Sequence, residues 1–262
     1  MIKFLIRSFL FFKRKTASKT TFVLDTENLD IHIVYRISDS GYPKIKAPYI
    51  NNQNCLANAA IAFPPDKFKW KIIADNCSPE TLQMIYQYVP KEYVECVSVG
   101  HGAGTFQMAL DYALNQANET IVYFLENDYI HQPQAAKILK EGFSIPRISF
   151  VTLYDHLDKY INGKNPFVRY GSEKTRVYLT ESTHWKETNS TTMTFATKVS
   201  TLKKTLRVFK RWTTKTHPWD VCIFTELKLR GYVLISPIPS QSTHGDLGTI
   251  SPLAEWENFI QK

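Results

Sequence analysis

Short β-branched apolar runs alternate along this chain with stripes of apolar residues at helical spacing. The densest run is residues 121–125, where Ile121, Val122, Tyr123, Phe124 and Leu125 leave no polar position. A strand buried on both faces reads this way. Glu126, Asn127 and Asp128 follow at once, and Gln132 and Pro133 then open an Ala-rich helix to Leu139, with Gly142 as its stop. Two carboxylates in one crevice repel unless a cation sits between them, so the pair suggests a divalent metal. A surface turn with two solvated acids is the plainer alternative.

Upstream, residues 31–37 predict a first strand, ending in the polar turn Ser38, Asp39, Ser40, Gly41 and Tyr42. Residues 51–63 predict a helix with Leu56, Ala59, Ala60 and Phe63 on one face, stopped by Pro64 and Pro65. Residues 70–74 predict a second strand, closing on Asp75 and Asn76. Ser78 then caps a helix with Pro79 as its first residue and Leu82, Ile85 and Tyr86 inside. Residues 93–99 predict a third strand, followed by Gly100, His101, Gly102, Ala103 and Gly104. The next stripe, Phe106, Ala109, Leu110, Ala113, Leu114 and Ala117, is the clearest helix in the chain. The order β-α-β-α-β-α-β-α predicts an α/β fold with a mainly parallel, doubly wound sheet flanked by helices.

The second half is more irregular. Residues 147–154 predict a strand and 155–174 a loop-rich stretch. Residues 176–180 and 192–197 predict further strands, with 181–191 as the separator between them. Ser200 is expected to cap a helix with Leu202, Leu206 and Phe209 inside and Lys203, Lys204, Arg207, Lys210 and Arg211 solvated. Residues 218–230 predict a helix stopped by Gly231, and 232–235 a late strand. From Ser236 the tail reads as a loop.

The chain has 262 residues, enough for a sizeable core, and its net charge of +8 points to an anionic partner. Part of that charge lies in residues 1–15, where Lys3, Arg7, Lys13, Arg14 and Lys15 interleave with Phe4, Leu5, Phe9, Phe11 and Phe12. The run is too short and interrupted to span a bilayer, and no small-residue cleavage site follows. It reads either as a helix lying on an anionic membrane surface or as one packed on the domain's flank. The expected organisation is a basic segment and linker over 1–23 and a single domain over 24–262. Cys55, Cys77, Cys96 and Cys222 form no C-x-x-C pair, which suggests neither a zinc site nor a disulfide framework and leaves a reducing, cytoplasmic compartment as the default.

The glycines after the third strand miss the dinucleotide fingerprint, because Thr105 stands where its last glycine is needed. The acids at strand ends carry more, since Asp39, Asp75, Glu126 and Asp128 all fall on one edge of the predicted sheet. Asp220 opens the 218–230 helix and shares a stripe with Phe224 and Leu227, so it faces inward. A helix-opening acid also interacts with free amides and the helix dipole.

Glu126, Asn127 and Asp128 after an apolar strand resemble the D-x-D signature of GT-A fold nucleotide-sugar glycosyltransferases. Trp219 and Asp220, running on to Gly231 and Tyr232, are similar to the segment of the family-two inverting enzymes in which an acidic pair opens a helix ending in a Gly-Tyr turn. The resemblance covers residues 31–244 as an order of motifs. It implies transfer of a hexose from a nucleoside-diphosphate donor to a glycan or lipid-linked acceptor, with inversion. Arg36, Asp39, Asp75, Gly100, Gly104 and Asn127 would contact the donor. Glu126, Asp128 and His244 would hold Mn²⁺ or Mg²⁺ on the diphosphate, and Asp220 would be the general base. A sugar-nucleotide nucleotidyltransferase is the alternative enzyme, although the stretch after the first strand has one glycine before Lys44 and lacks a Gly-rich basic loop. A nucleic-acid-binding protein is the alternative from another class, with no recognised motif and only dispersed basic residues behind it.

Overall fold

In the computed structural model, which describes residues 28–40 and 45–260, the expected parallel half forms as β1 (Ile31–Ser38), β2 (Lys69–Asp75), β3 (Val94–Val97) and β4 (Ile121–Glu126). They lie in the order β3-β2-β1-β4, and every neighbouring pair is parallel. The basic aromatic segment 1–15 and the residues Gly41 to Lys44 lie outside the described residues. Helix α1 (Asn52–Ala62) and helix α2 (Pro79–Tyr86) cover one face, and α3 (Gly102–Leu114) the other. Alternation along the strands explains the division. Ile33, Tyr35, Ile72 and Tyr123 pack with Leu56, Phe63 and Ile85, whereas Val34, Ile73, Val122 and Phe124 pack with Phe106 and Leu110. Ser78 caps α2 as expected, accepting the Thr81 amide at 3.2 Å with Pro79 next in the chain.

The second half extends this sheet. In chain order come β5 (Tyr129–His131), α4 (Ala135–Ser144), β6 (Ile148–Val151), β7 (Val168–Arg169), β8 (Ser172–Glu173), β9 (Val177–Leu179), β10 (His184–Thr188) and β11 (Phe195–Lys198). Then follow α5 (Val199–Trp212), β12 (Thr213–Thr214), β13 (His217–Pro218), α6 (Asp220–Leu229), β14 (Val233–Ile238) and β15 (Ser242–His244). Among the described residues the main sheet has nine strands, in the order β3-β2-β1-β4-β11-β6-β14-β10-β9. Only β11 and β10 run against the rest, so the sheet is mixed and mostly parallel, compatible with a Rossmann-like arrangement. Much of the aromatic content is core. Phe106, Phe124, Phe150, Phe195, Phe209 and Phe224 form one cluster beneath the helices, with Phe195 and Phe209 stacked at 5.6 Å. Among the described residues no helix is long and apolar enough to cross a membrane.

Five local expectations are corrected. The 181–191 separator contains β10, whose strand character is hidden by its polar residues. Trp185 is wholly buried, and the buried Lys186 is neutralised by Asp155 at 2.8 Å. Gly142 lies inside α4 and does not stop it. A Cβ there would come within 2.9 Å of Trp185 and Val151, so glycine is what lets this helix sit on the sheet. Helix α5 starts after Lys198 with no side-chain cap, and α6 starts at Asp220 because His217 and Pro218 pair with Thr214 and Thr213. The tail beyond Ser236 is a core element. Strand β14 continues to Ile238, and Ser242, Thr243 and His244 are buried where β15 pairs with β5.

His131 at the end of β5 gives the fold a pH dependence. It meets the Tyr123 hydroxyl at 2.9 Å through Nε2, and its backbone N–H donates to Asn58 at 2.7 Å. Burial pushes its imidazole down to about 3. Its neutral form is favoured by the fold, so the chain binds a proton more readily when unfolded. Stability from this group is complete above the unfolded value near 6.5 and falls as pH drops toward 3. Between pH 7 and pH 5 the loss is about 2 kcal/mol. Urea midpoints at the two pH values should show that loss in the parent and not in His131→Gln; equal pH slopes in both proteins would count against it.

Candidate functional site

Chain order turns back at β1, with β2 and β3 on one side and β4 on the other. Beyond the carboxyl ends of two strands that diverge this way, their connections leave a crevice. A cavity of about 790 Å³ opens there, and Arg36, Asp75, Gly100, Glu126, Asn127, Asp128 and Asp220 all line it. Seven residues singled out from the sequence are thus brought together by topology. Asp39, Gly104 and His244 do not line it.

Arg36 and Glu126 are register partners on β1 and β4. The guanidinium lies 2.6 Å from Glu126 Oε1, donates to the Gly102 carbonyl at 3.1 Å, and covers the Phe106 ring at 5.3 Å. Asp128 has different basic partners. Its Oδ2 is 3.3 Å from Lys46 Nζ and 3.4 Å from His244 Nε2. The two acids therefore do not simply face each other with their charges opposed, because each meets its own basic partner.

His244 reaches Asp128 because β15 runs antiparallel to β5, with His244 opposite Tyr129. The Gly245 amide donates to the Asp128 carbonyl at 2.8 Å, and a Cβ on Gly245 would come within 2.4 Å of Ile50, so the strap closes tightly only with glycine. His244 Nδ1 accepts from the Asp246 amide at 3.3 Å, and the ring packs edge-on against Tyr129. Lys46 is carried in by a bridge to Asp246.

Asp75 organises the glycine loop. Its carboxylate accepts the Val99 amide at 2.7 Å and the Gly100 amide at 2.9 Å, holding Gly100 at φ +78°. Gly104 is needed for packing, since a Cβ would lie 2.2 Å from Val99. Asn127 donates to the Ser38 carbonyl and to Asn52, tying the ends of β1 and β4 to α1. Asp39 turns toward the start of α2, accepting from the Ser78 amide at 2.7 Å and the Thr81 hydroxyl at 2.8 Å. Burial raises the Asp39 carboxyl, but hydrogen bonds from Ser78, Thr81 and Asn52 outweigh it and hold it below the usual value.

Asp220 is the first residue of α6 and makes no side-chain cap to that helix. Its Oδ2 accepts the amides of Thr191 and Thr192 at 3.2 and 2.9 Å. Thr192 and Met193, both on the cavity wall, have φ of +47° and +60°. Non-glycine residues in the left-handed region are costly and cluster at functional sites. Lys46, His101, Thr192, Met193 and His217 also line the cavity and were not foreseen. Lys46 and the Thr192–Met193 turn carry no motif. The glycines around His101, and His217 beside Asp220, were the available signals for the other two.

A divalent metal on the diphosphate would need oxygen and imidazole donors. Among the described residues no trio of His, Cys, Asp and Glu converges to hold one. Asp128 and His244 do converge, and Mg²⁺-type ions characteristically take one or two protein ligands and complete their shell from substrate phosphates and water. These two residues would supply part of such a shell only if Lys46 gave up the Asp128 oxygen it holds at 3.3 Å. Compared with known proteins, the chain matches no family and no curated sequence.

Proposed function

We propose that the chain is a GT-A-like, inverting glycosyltransferase that moves a sugar from a nucleoside diphosphate to an acceptor hydroxyl. The observation that carries this reading is one cavity at the turning point of the sheet, holding cations and the Asp128–His244 pair at one part of its wall and Asp220 at another. Arg36 and Lys46, paired with Glu126 and Asp128 in the free protein, are the cations a diphosphate would meet, and the Gly100–Gly102 turn before α3 gives close backbone approach to a ribose or phosphate. Asp128 and His244 would hold Mn²⁺ or Mg²⁺. A bound metal supplies positive charge against the charge growing on the departing diphosphate.

Asp220 acts on the acceptor. Two backbone amides fix one carboxylate oxygen, leaving the other to take the proton of the attacking hydroxyl. The glycan or lipid-linked acceptor belongs to the second half of the chain, whose loops supply this side of the cavity.

A thermal-shift screen of nucleoside diphosphates with and without Mn²⁺ tests the reading. One base should raise the melting temperature, by an amount that grows with metal. No stabilisation by any nucleoside diphosphate, in either condition, would sink it.

A further inference from the structure

We propose that the face built by residues 160–176 docks on an anionic lipid bilayer. No residue of this face lines the cavity, and the proposal does not depend on the transferase reading. Strands β7 and β8 form a hairpin in which Arg169 pairs with Ser172, so Tyr170 and Gly171 are its two turn residues. Both have positive φ, +55° and +69°. Such a turn favours Asn-Gly, and an aromatic side chain at its first position is disfavoured. Tyr170 is nonetheless there, 96% exposed, packing on almost nothing in its own fold. The residue serves the hairpin poorly and presents a ring to solvent.

Its surroundings say what that ring meets. The Gly171 amide donates to Asn162 at 2.7 Å, which clamps the hairpin onto the segment carrying the exposed Tyr160 and Ile161. Phe167 is exposed on the same loop. Lys164, Arg169, Lys174 and Arg176 are exposed cations among them. The one carboxylate in this stretch, Glu173, has a side chain only 2% exposed and turns inward to Lys159 and Lys228. Arg176 is paired with the largely buried Glu187 at 4.0 Å, so the positive charge solvent meets here comes from Lys164, Arg169 and Lys174, beside the apolar tips and with no exposed carboxylate within residues 160–176. Apolar residues entering the headgroup region beside Lys and Arg are the combination that binds anionic bilayers. A nucleic acid would use the cations and the Tyr rings but gain little from Ile161, or from Val177 and Leu179 exposed just beyond on β9.

Contacts also lead from this face to the cavity wall. Lys159, fully buried beneath it, donates to Asn189, two residues before the Thr191 and Thr192 amides that hold Asp220.

The test is co-sedimentation of the full chain with phosphatidylserine-containing vesicles and with pure phosphatidylcholine vesicles, at 0.15 M salt. Parent protein should bind the anionic vesicles. Tyr170→Asn places a residue better suited to the turn, so its melting temperature should hold or rise while vesicle partitioning falls about tenfold. The double variant Arg169→Gln/Lys174→Gln should lose on the order of tenfold or more, and its residual binding should depend less on salt. Removing two exposed cations from α5 by Lys204→Gln/Arg207→Gln is the control and should change partitioning less than about twofold. Absence of parent binding overturns the proposal, as does parent-level partitioning in both loop variants or a loss confined to the α5 control. Loss of RNA binding in the loop variants, with vesicle binding unchanged, would assign the face to nucleic acid instead. Nucleoside-diphosphate thermal shifts should be the same in Tyr170→Asn and parent, which separates failure here from failure of the transferase reading.

Discussion

Replacing Asp220 by Asn is expected to lower turnover by roughly 10²-fold or more while leaving nucleoside-diphosphate affinity close to that of the parent. The structure sharpens this test. Asp220 does not cap α6, so the substitution removes no cap. An Asn side-chain oxygen can still accept the Thr191 and Thr192 amides, now without charge assistance, at a cost on the order of 1 kcal/mol. Fold and cavity wall are retained, and only the capacity to take a proton is removed. Turnover within a few-fold of the parent would make Asp220 an anchor for the left-handed Thr192–Met193 turn. Asp246 would then be the next acid to examine.

Asp128→Asn is expected to remove the metal-dependent part of nucleotide binding, a loss of roughly 100-fold or more in affinity. It should also cost the fold about 1–3 kcal/mol, because Lys46 and the buried His244 lose their charged partner. Two acids in an exposed crevice would have implied relief of repulsion and no such loss. Calorimetric titration of the chosen nucleoside diphosphate with and without Mn²⁺ separates the two effects. Mn²⁺-dependent affinity equal to the parent's would remove Asp128 from the site and leave Glu126 and Arg36 as a purely structural pair.

The parallel half was readable because its residues announce their surroundings. Residues 121–125 contain nothing that could face water, and the stripe from Phe106 to Ala113 has room for one buried face only. The acids at strand ends were placed on one edge by the same logic, and the cavity brings Asp75, Glu126 and Asp128 together there. What Asp39 and Asp75 hold was not readable, since their partners are backbone amides of distant loops. Strand β10 was missed because a buried Lys186 looks like a solvated one until Asp155 is seen beside it. The Lys46–Asp128–His244 contact joins three segments far apart in sequence, and no local pattern encodes it.

The order of strands in the second half carries a consequence for synthesis. Strand β14 lies between β6 and β10, yet it follows β10 by roughly 45 residues, a few seconds of translation at ordinary rates. Until it arrives, β6 lacks its neighbour on that side, and the β9–β10 ribbon has no partner holding it to the sheet. Unpaired edges of this kind attract other chains. A nascent polypeptide paused in that window, with Trp185 waiting for its place against Val151 and Gly142, is the species from which misassembly would begin.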